Sequence, residues 1–264
     1  GLEINPENLS RLDQFPMNAV VSLGGCSASF VSPQGLVVTN HHCIYGSVQY
    51  NSTPENNLLT DGFLAKQLDQ EIPTAPGTRV YVTEEVSDVT AGVLSGVTAS
   101  TSGLDRYNMI EANRKSLIAD CESSGNHRCG VSSLHQGLEY FLIKRLEVRD
   151  VRLVYAPATS IGKYGGDIDN WQWPRHTGDF GFYRAYVGTD GRPAEYSEDN
   201  VPYTSDSFLE VSAKGVEEGD FVMGVGYPGS TNRYRTTAEV ENEFEWYYPQ
   251  ARGFREDIIS IIND

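Results

Sequence analysis

Two adjacent histidines and a cysteine, in "TNHHC" at residues 39–43, follow the apolar run "GLVVTN". The chain has only five histidines and four cysteines, so this grouping concentrates scarce proton-transfer and sulfur chemistry in one place. An imidazole can move a proton near neutral pH or ligate a metal, and a thiol can ligate a metal or close a disulfide. The four cysteines fall in two local pairs, Cys26 with Cys43 and Cys121 with Cys129. An even count in close pairs favours two disulfides and an oxidising compartment, with free thiols as the lesser alternative. A metal site from Cys26, His41, His42 and Cys43 is disfavoured, because adjacent residues at a strand end point to opposite faces. Neither a metal nor a cofactor is expected. A Cys26–Cys43 bond would close a loop of 17 residues (43 − 26), worth roughly 3 kcal/mol in the chain-entropy model. It would also stiffen the strand end that carries His42, and a general base needs such rigidity to stay within reach of its nucleophile.

A second stretch with chemical content is "GGDIDNWQWPRHTGDFGFYRAY", residues 165–186. It gathers Asp167, Asp169, Asn170, Trp171, Trp173, an Arg-His pair and Asp179 in a segment too polar and too glycine-rich for a core. Asp167 and Asp169 begin like a calcium-binding loop, but the later ligand positions, the central glycine and the closing glutamate are missing. Large aromatic groups beside hydrogen-bonding side chains fit a binding wall better.

These residues must be held by the elements around them. "AVVSLGGCSASFVSPQGLVVTNHHC" reads as a β-hairpin turning at "SPQG". Residues 1–17 read as an irregular or amphipathic lead-in. "GTRVYVTEEVSDVT" is a strand candidate, and residues 104–121 have helical spacing. "LEYFLIKRLEVRDVRLVYAP" predicts strands with a turn near Glu147, and "FGFYRAYVGTDGRPA" a strand and a turn at Thr189–Arg192. Two further strands are expected in "SFLEVSAKGVEEGDFVMGVGYPG", around a turn at Lys214–Glu218, before a helical end from about residue 239. Many short strands separated by Gly and Pro turns predict a mainly β protein, a barrel or sandwich with helical insertions.

The chain has 264 residues, a hydrophobic content of 39% and a formal net charge of −16. That is enough apolar surface for a packed core. The acidic balance argues against nucleic acid or an anionic membrane surface as partner, both of which need a basic footprint. No stretch approaches the roughly 20 apolar residues of a membrane span. The polar opening "GLEINPENLSRLDQ" does not read as a signal peptide.

Taken together, "GGCSASFVSPQGLVVTNHHCIYGSVQ", "SIGKYGGDIDNWQWPRHTGDFGFYRAYVG" and "GYPGSTNRYRTTAEVE" resemble the bacterial dipeptidyl peptidases of the type 7 and type 11 group, the dipeptidyl aminopeptidase BII-like serine exopeptidases. "VVTNHHC" is also similar to the strand-end "TAAHC" of chymotrypsin-like proteases, where the histidine directly before the cysteine is the base. Spacing alone favours a structural histidine; the flanking Thr39 and Cys43 and the paired Cys26 reverse that balance and single out His42.

The resemblance implies a chymotrypsin-like double β-barrel with an inserted α-helical domain. It divides the chain into a first barrel over 1–205, the start of a second over 206–238 and the start of a helical domain over 239–264. It implies release of dipeptides from free peptide amino termini, a periplasmic or secreted location and a homodimer. His42 would be the general base and Asp179 its carboxylate partner. Asn170 and Trp171 would hold the substrate's α-amino group, while Asp167 and Asp169 would be structural or electrostatic.

The family's nucleophilic serine lies in a "GNSGSP"-like motif that this chain does not contain, and Ser230 in "GYPGST" does not match it. The chain therefore reads as an amino-terminal portion that completes its site with the remaining carboxyl-terminal part of the same protein. The alternative is a non-catalytic peptide-binding module with a protease-like fold. A metal-dependent hydrolase, with a metal on His41 or His42, is a more distant third. Hydrophobic versus acidic side-chain preference stays open at this level, with bulk charge weighing slightly against acidic substrates.

Overall fold

The "SPQG" turn closes the expected hairpin. In the computed structural model, β2 (Ser27–Phe30) pairs antiparallel with β3 (Leu36–Thr39), preceded by β1 (Val20–Ser22) on the other side of β2. Residues 4–135, 137–169, 172–227, 229 and 234–263 are described. Ala28 and Phe30 of β2 and Val37 and Thr39 of β3 are buried, with less buried residues between them. This is the period-two pattern of a sheet with one face on a core. Gly35 ends the turn at φ +67, and a Cβ there would press on the Ala185 and Tyr203 carbonyls at 2.8 Å. Glycine is required at that position on both counts.

The chain forms two compact units, residues 1–227 and 228–264. The first opens with helix α1 (Pro6–Ser10) and the hairpin. Beyond β3 come α2 (His41–Tyr50), α3 (Leu58–Asp61) and the short strands β4 (Phe63–Leu64) and β5 (Ile72–Pro73). The long strand β6 (Val80–Asp88) follows, then α4 (Thr90–Val93) and α5 (Gly103–Glu122). After these come β7 (His127–Leu134), β8 (Glu139–Val148), β9 (Asp150–Ala156), α6 (Thr159–Gly162), β10 (Gly181–Val187) and β11 (Val201–Pro202). All strands join one antiparallel sheet in the order β4-β9-β10-β3-β2-β1-β6-β8-β7, with β5 on β9 and β11 on β10. Val21, Phe30, Val37, Ile44, Val48, Val80, Val148, Leu153 and Tyr183 form its core. A smaller apolar cluster of Val93, Val131 and Tyr140 lies under α5, held by Ile110, Leu117 and Ile118.

The mainly β class agrees with the sequence reading, and so does the helix over 104–121. Two local expectations are corrected. The histidine run does not stay in the strand: backbone turns helical at His41, immediately after β3. Buried Ile44, Ser47 and Val48 give that helix its core-facing side. Residues 206–227 contain no strand, against the two that their pattern predicts. A strand needs a neighbour for its backbone groups. In this segment Leu209 N–H donates to the Phe30 carbonyl, and the apolar Val211, Val216, Phe221 and Val222 lie exposed.

Both cysteine pairs are bonded. Cys26–Cys43 ties the loop after β1 to the first turn of α2, and Cys121–Cys129 ties the end of α5 to the start of β7. The second unit holds α7 (Thr237–Asn242), a π turn over Glu243–Tyr247 and α8 (Tyr248–Asn263). The Thr236 hydroxyl and Glu239 carboxylate cap the start of α7 reciprocally.

Candidate active site

The register of β3 against β10 brings the two sequence-distant groups together. Thr39 lies opposite Gly181, so residues just past Thr39 meet residues just before Gly181. Asn40, His41 and His42 on one side therefore face Asp179 on the other. Asp179 then acts as an acidic cap on α2. The His42 backbone N–H, one of the helix's unsatisfied first-turn donors, gives its hydrogen to Asp179 Oδ1 at 3.0 Å. The His42 ring meets the same carboxylate, with Nδ1 2.8 Å from Oδ2. Asn40 Nδ2 donates to Oδ2 at 3.2 Å and to the Asp179 carbonyl at 3.3 Å.

Burial pushes the Asp179 carboxyl upward, but the backbone and ring hydrogen bonds from His42, its positive field and the Asn40 amide together outweigh that. The net shift is below the ordinary carboxylate range, so Asp179 is ionised at neutral pH. An ionised carboxylate only accepts, which fixes the proton on His42 Nδ1 and leaves Nε2 as the free base. The His42 side chain is 68% exposed, so that nitrogen is open to an incoming group.

His41 and His42 are one residue apart on a helix, about 100° around its axis. His41 is 1% exposed and packs edge-on against Tyr45 at 6.0 Å. Burial lowers its pKa, partly offset by the negative Asp179 and by the Pro157 carbonyl. His41 is thus a neutral buried ring and His42 the accessible one.

Cys26, His42 and Cys43 have potential ligand atoms within 4.8 Å of one another. Both sulfurs are bonded to each other, however, and a disulfide offers no thiolate to a metal. The set therefore does not suit a metal ion.

The His42–Asp179 pair opens on a cleft of about 570 Å³ lined by Tyr45, Lys163, Tyr164, Asp167, Arg175 and Thr177 as well. Its far wall is built from residues 162–167 together with Arg175 and Thr177. The first part of this wall is tied to the irregular segment that leads into Asp179, with Gly178 N–H donating to the Ile161 carbonyl and the Thr177 hydroxyl to the Tyr164 carbonyl. Asp167 stands free in solvent apart from a loose approach by Lys163 at 3.9 Å. Asp169 folds back against Gly165. Asn170, Trp171 and Ser230 lie outside the described residues. Sequence reasoning did not single out Asn40, Tyr45, Lys163 or Thr177. The Asn directly before a helical start was a legible N-cap signal for the first of these.

The family model for peptidase S46 matches residues 1–264. The chain belongs to the peptidase S46 family. As an S46 member it is 55% identical over 262 residues to the Asp/Glu-specific dipeptidyl-peptidase of Shewanella putrefaciens, covering 99% of this chain and 36% of that protein. It is 40% identical over 260 residues to dipeptidyl-peptidase 7 of Porphyromonas gingivalis, covering 92% of this chain and 36% of that protein. The solved structure of Porphyromonas endodontalis DPP11 in complex with substrate superimposes with a TM-score of 0.80 at 40% identity, over 93% of this chain and 37% of that one. The same enzyme with the dipeptide Arg-Glu gives 0.74 at 39% identity, over 83% and 33%. The S46 chain described here thus spans little more than a third of the length of the relatives it matches.

Proposed function

We propose that this chain supplies the proton-transfer half of a serine dipeptidyl-peptidase that removes dipeptides from free peptide amino termini. The observation that carries this is the His42–Asp179 contact at 2.8 Å on the cleft wall, in a chain of the S46 family. His42 Nε2 takes the proton from a serine hydroxyl as that oxygen attacks the scissile carbonyl, then returns it to the departing amine. Asp179 holds the ring in the right tautomer and stabilises the imidazolium formed between those steps. The serine comes from the carboxyl-terminal part of the same protein.

Asn170 and Trp171 anchor the substrate ammonium. The amide oxygen of Asn170 can accept from it, and the Trp171 ring can add a cation–π contact. Their place in the sequence supports this role: they stand nine and eight residues before Asp179 (179 − 170 and 179 − 171) and shortly after the cleft-lining Asp167. The 55% identity to an Asp/Glu-specific relative, against 40% to a dipeptidyl-peptidase 7, supports acidic side chains at the second substrate position. Two disulfides support a periplasmic or secreted location. Homodimerisation rests on family likeness alone.

The test is turnover by the full-length protein of chromogenic dipeptides with a free amine, carrying Asp, Glu, Leu or Phe at the second position. Release from the acidic pair well above the others is the expected result. No turnover of any of them, with peptide binding retained, would favour the non-catalytic peptide-binding module.

A further inference from the structure

The proton-transfer reading uses His42 and leaves its neighbour idle, yet His41 is the more deeply set of the two. Its ring is fully enclosed, and its Nε2 is buried without a hydrogen-bond partner among the described residues. Tyr45 packs on it edge-on, and backbone closes on it as well. Gly162, the last residue of α6, packs against the imidazole: a Cβ built there would come within 2.5 Å of His41 Cγ, Cδ2 and Nδ1. Gly162 does not have a left-handed φ, so its backbone conformation does not demand glycine. The ring does.

This contact lies at a junction. On one side, His41 opens the helix whose next residue is His42. On the other, Gly162 begins the cleft wall that continues through Tyr164 and Asp167. The same wall returns through the Ile161–Gly178 and Tyr164–Thr177 hydrogen bonds to Asp179. We propose that His41 is a positioning residue whose ring, packed against Gly162, sets the distance between the base on α2 and the cleft wall that Gly162 begins, and so the room for the substrate's amino-terminal residues. The inference rests on the dipeptidyl-peptidase reading. It adds that the two-residue measure of the enzyme is kept by a packing contact as well as by the anchor itself. A planar ring suits this because it has few rotamers and can stack on bare peptide backbone, whereas a longer flexible chain would let the wall drift.

The experiment reads, in the full-length enzyme, the ratio of kcat/KM for a free-amine dipeptide substrate to that for its amino-blocked analogue. Gly162→Ala adds one methyl where the ring lies. It should lower the ratio by roughly ten- to a hundredfold, the cost expected of displacement by about 1 Å, while the protein stays folded. His41→Phe keeps a flat ring and should hold the ratio near that of the unaltered enzyme. His41→Ala should lower it, and Gly162→Ala added to His41→Ala should cost far less than Gly162→Ala alone, since the obstacle is gone.

An unchanged ratio in folded Gly162→Ala would overturn the proposal. So would a His41→Phe ratio as low as that of His41→Ala, which would mean that a ring nitrogen is needed. Should His41→Ala not fold, Gly162→Ala and His41→Phe decide by themselves. His42→Ala tests the underlying reading separately: turnover surviving in it refutes the base assignment, whatever the His41 series shows.

Discussion

Asp179 takes hydrogen bonds from the His42 backbone, the His42 ring and the Asn40 amide, and all three favour the charged carboxylate. Its folded pKa is depressed, so its contribution to stability is present above the unfolded value, about 3.9, and fades as pH falls through the folded one. Urea denaturation of the full-length protein and of Asp179→Asn should therefore show a gap at neutral pH that closes below about pH 4. A constant gap would mean that the carboxylate's charge is not what stabilises the site. The same substitution presents the wrong hydrogen-bonding pattern to the ring and should lower kcat by about four decades. His42→Ala should cost several decades as well, and near-normal turnover there with His41→Ala inactive would exchange the roles of the two histidines. On the proposed anchoring role, Asn170→Ala removes one acceptor from a charged donor, worth on the order of 1.5–3 kcal/mol, or roughly ten- to a hundredfold in kcat/KM on free-amine substrates. An amino-blocked analogue should lose much less; equal losses would move the anchor elsewhere.

Elements hold these groups by close packing rather than by long reach. Gly181, opposite Thr39 in the β3–β10 ladder, lies against Ile44 of α2, and a Cβ there would strike Ile44 Cδ1 and come 3.1 Å from the Tyr155 carbonyl. Gly181→Ala should therefore destabilise the protein by about 1–3 kcal/mol through overpacking and lower activity beyond that by tilting α2. Thermal melting and kcat measured together separate the two effects. Tyr183 fastens the same helix from β10, its hydroxyl donating to Ser47 Oγ, and burial pushes that phenol up to about 12. Removing Cys26–Cys43 by paired alanines releases the first turn of α2 and should cost roughly 3 kcal/mol. Full stability in that double variant would show that the ladder alone holds the helix.

At the scale of the whole molecule, the cleft holds the His42–Asp179 pair, and the chain contains no Gly-x-Ser-Gly motif. The isolated chain should hydrolyse no dipeptide substrate, because a His-Asp pair alone has no acyl acceptor to activate. Measurable burst release of product by the purified 264-residue chain would place a nucleophile within it. Exposed Val211, Phe221, Val222 and Met223 in one unit, and Ile258, Ile259 and Ile262 of α8 in the other, leave apolar surface in water. Chains of this kind associate readily.

The cysteine pairing and the hairpin turn at "SPQG" were legible in sequence because each depends on neighbours within a few residues. Pairs of cysteines and a turn glycine carry their meaning locally. Asp179 was named only through family likeness; no local pattern distinguishes it from Asp167 or Asp169. Strand register distinguishes it, by setting Gly181 against Thr39 and so aiming one aspartate of three at the start of α2. The strands expected over 206–227 failed for a related reason: alternation describes a face, but a ladder also needs a partner. The separate fates of His41 and His42 were likewise undecided until backbone turned helical at residue 41. From there a rotation of about 100° buried one ring beneath Gly162 and left the other facing the cleft.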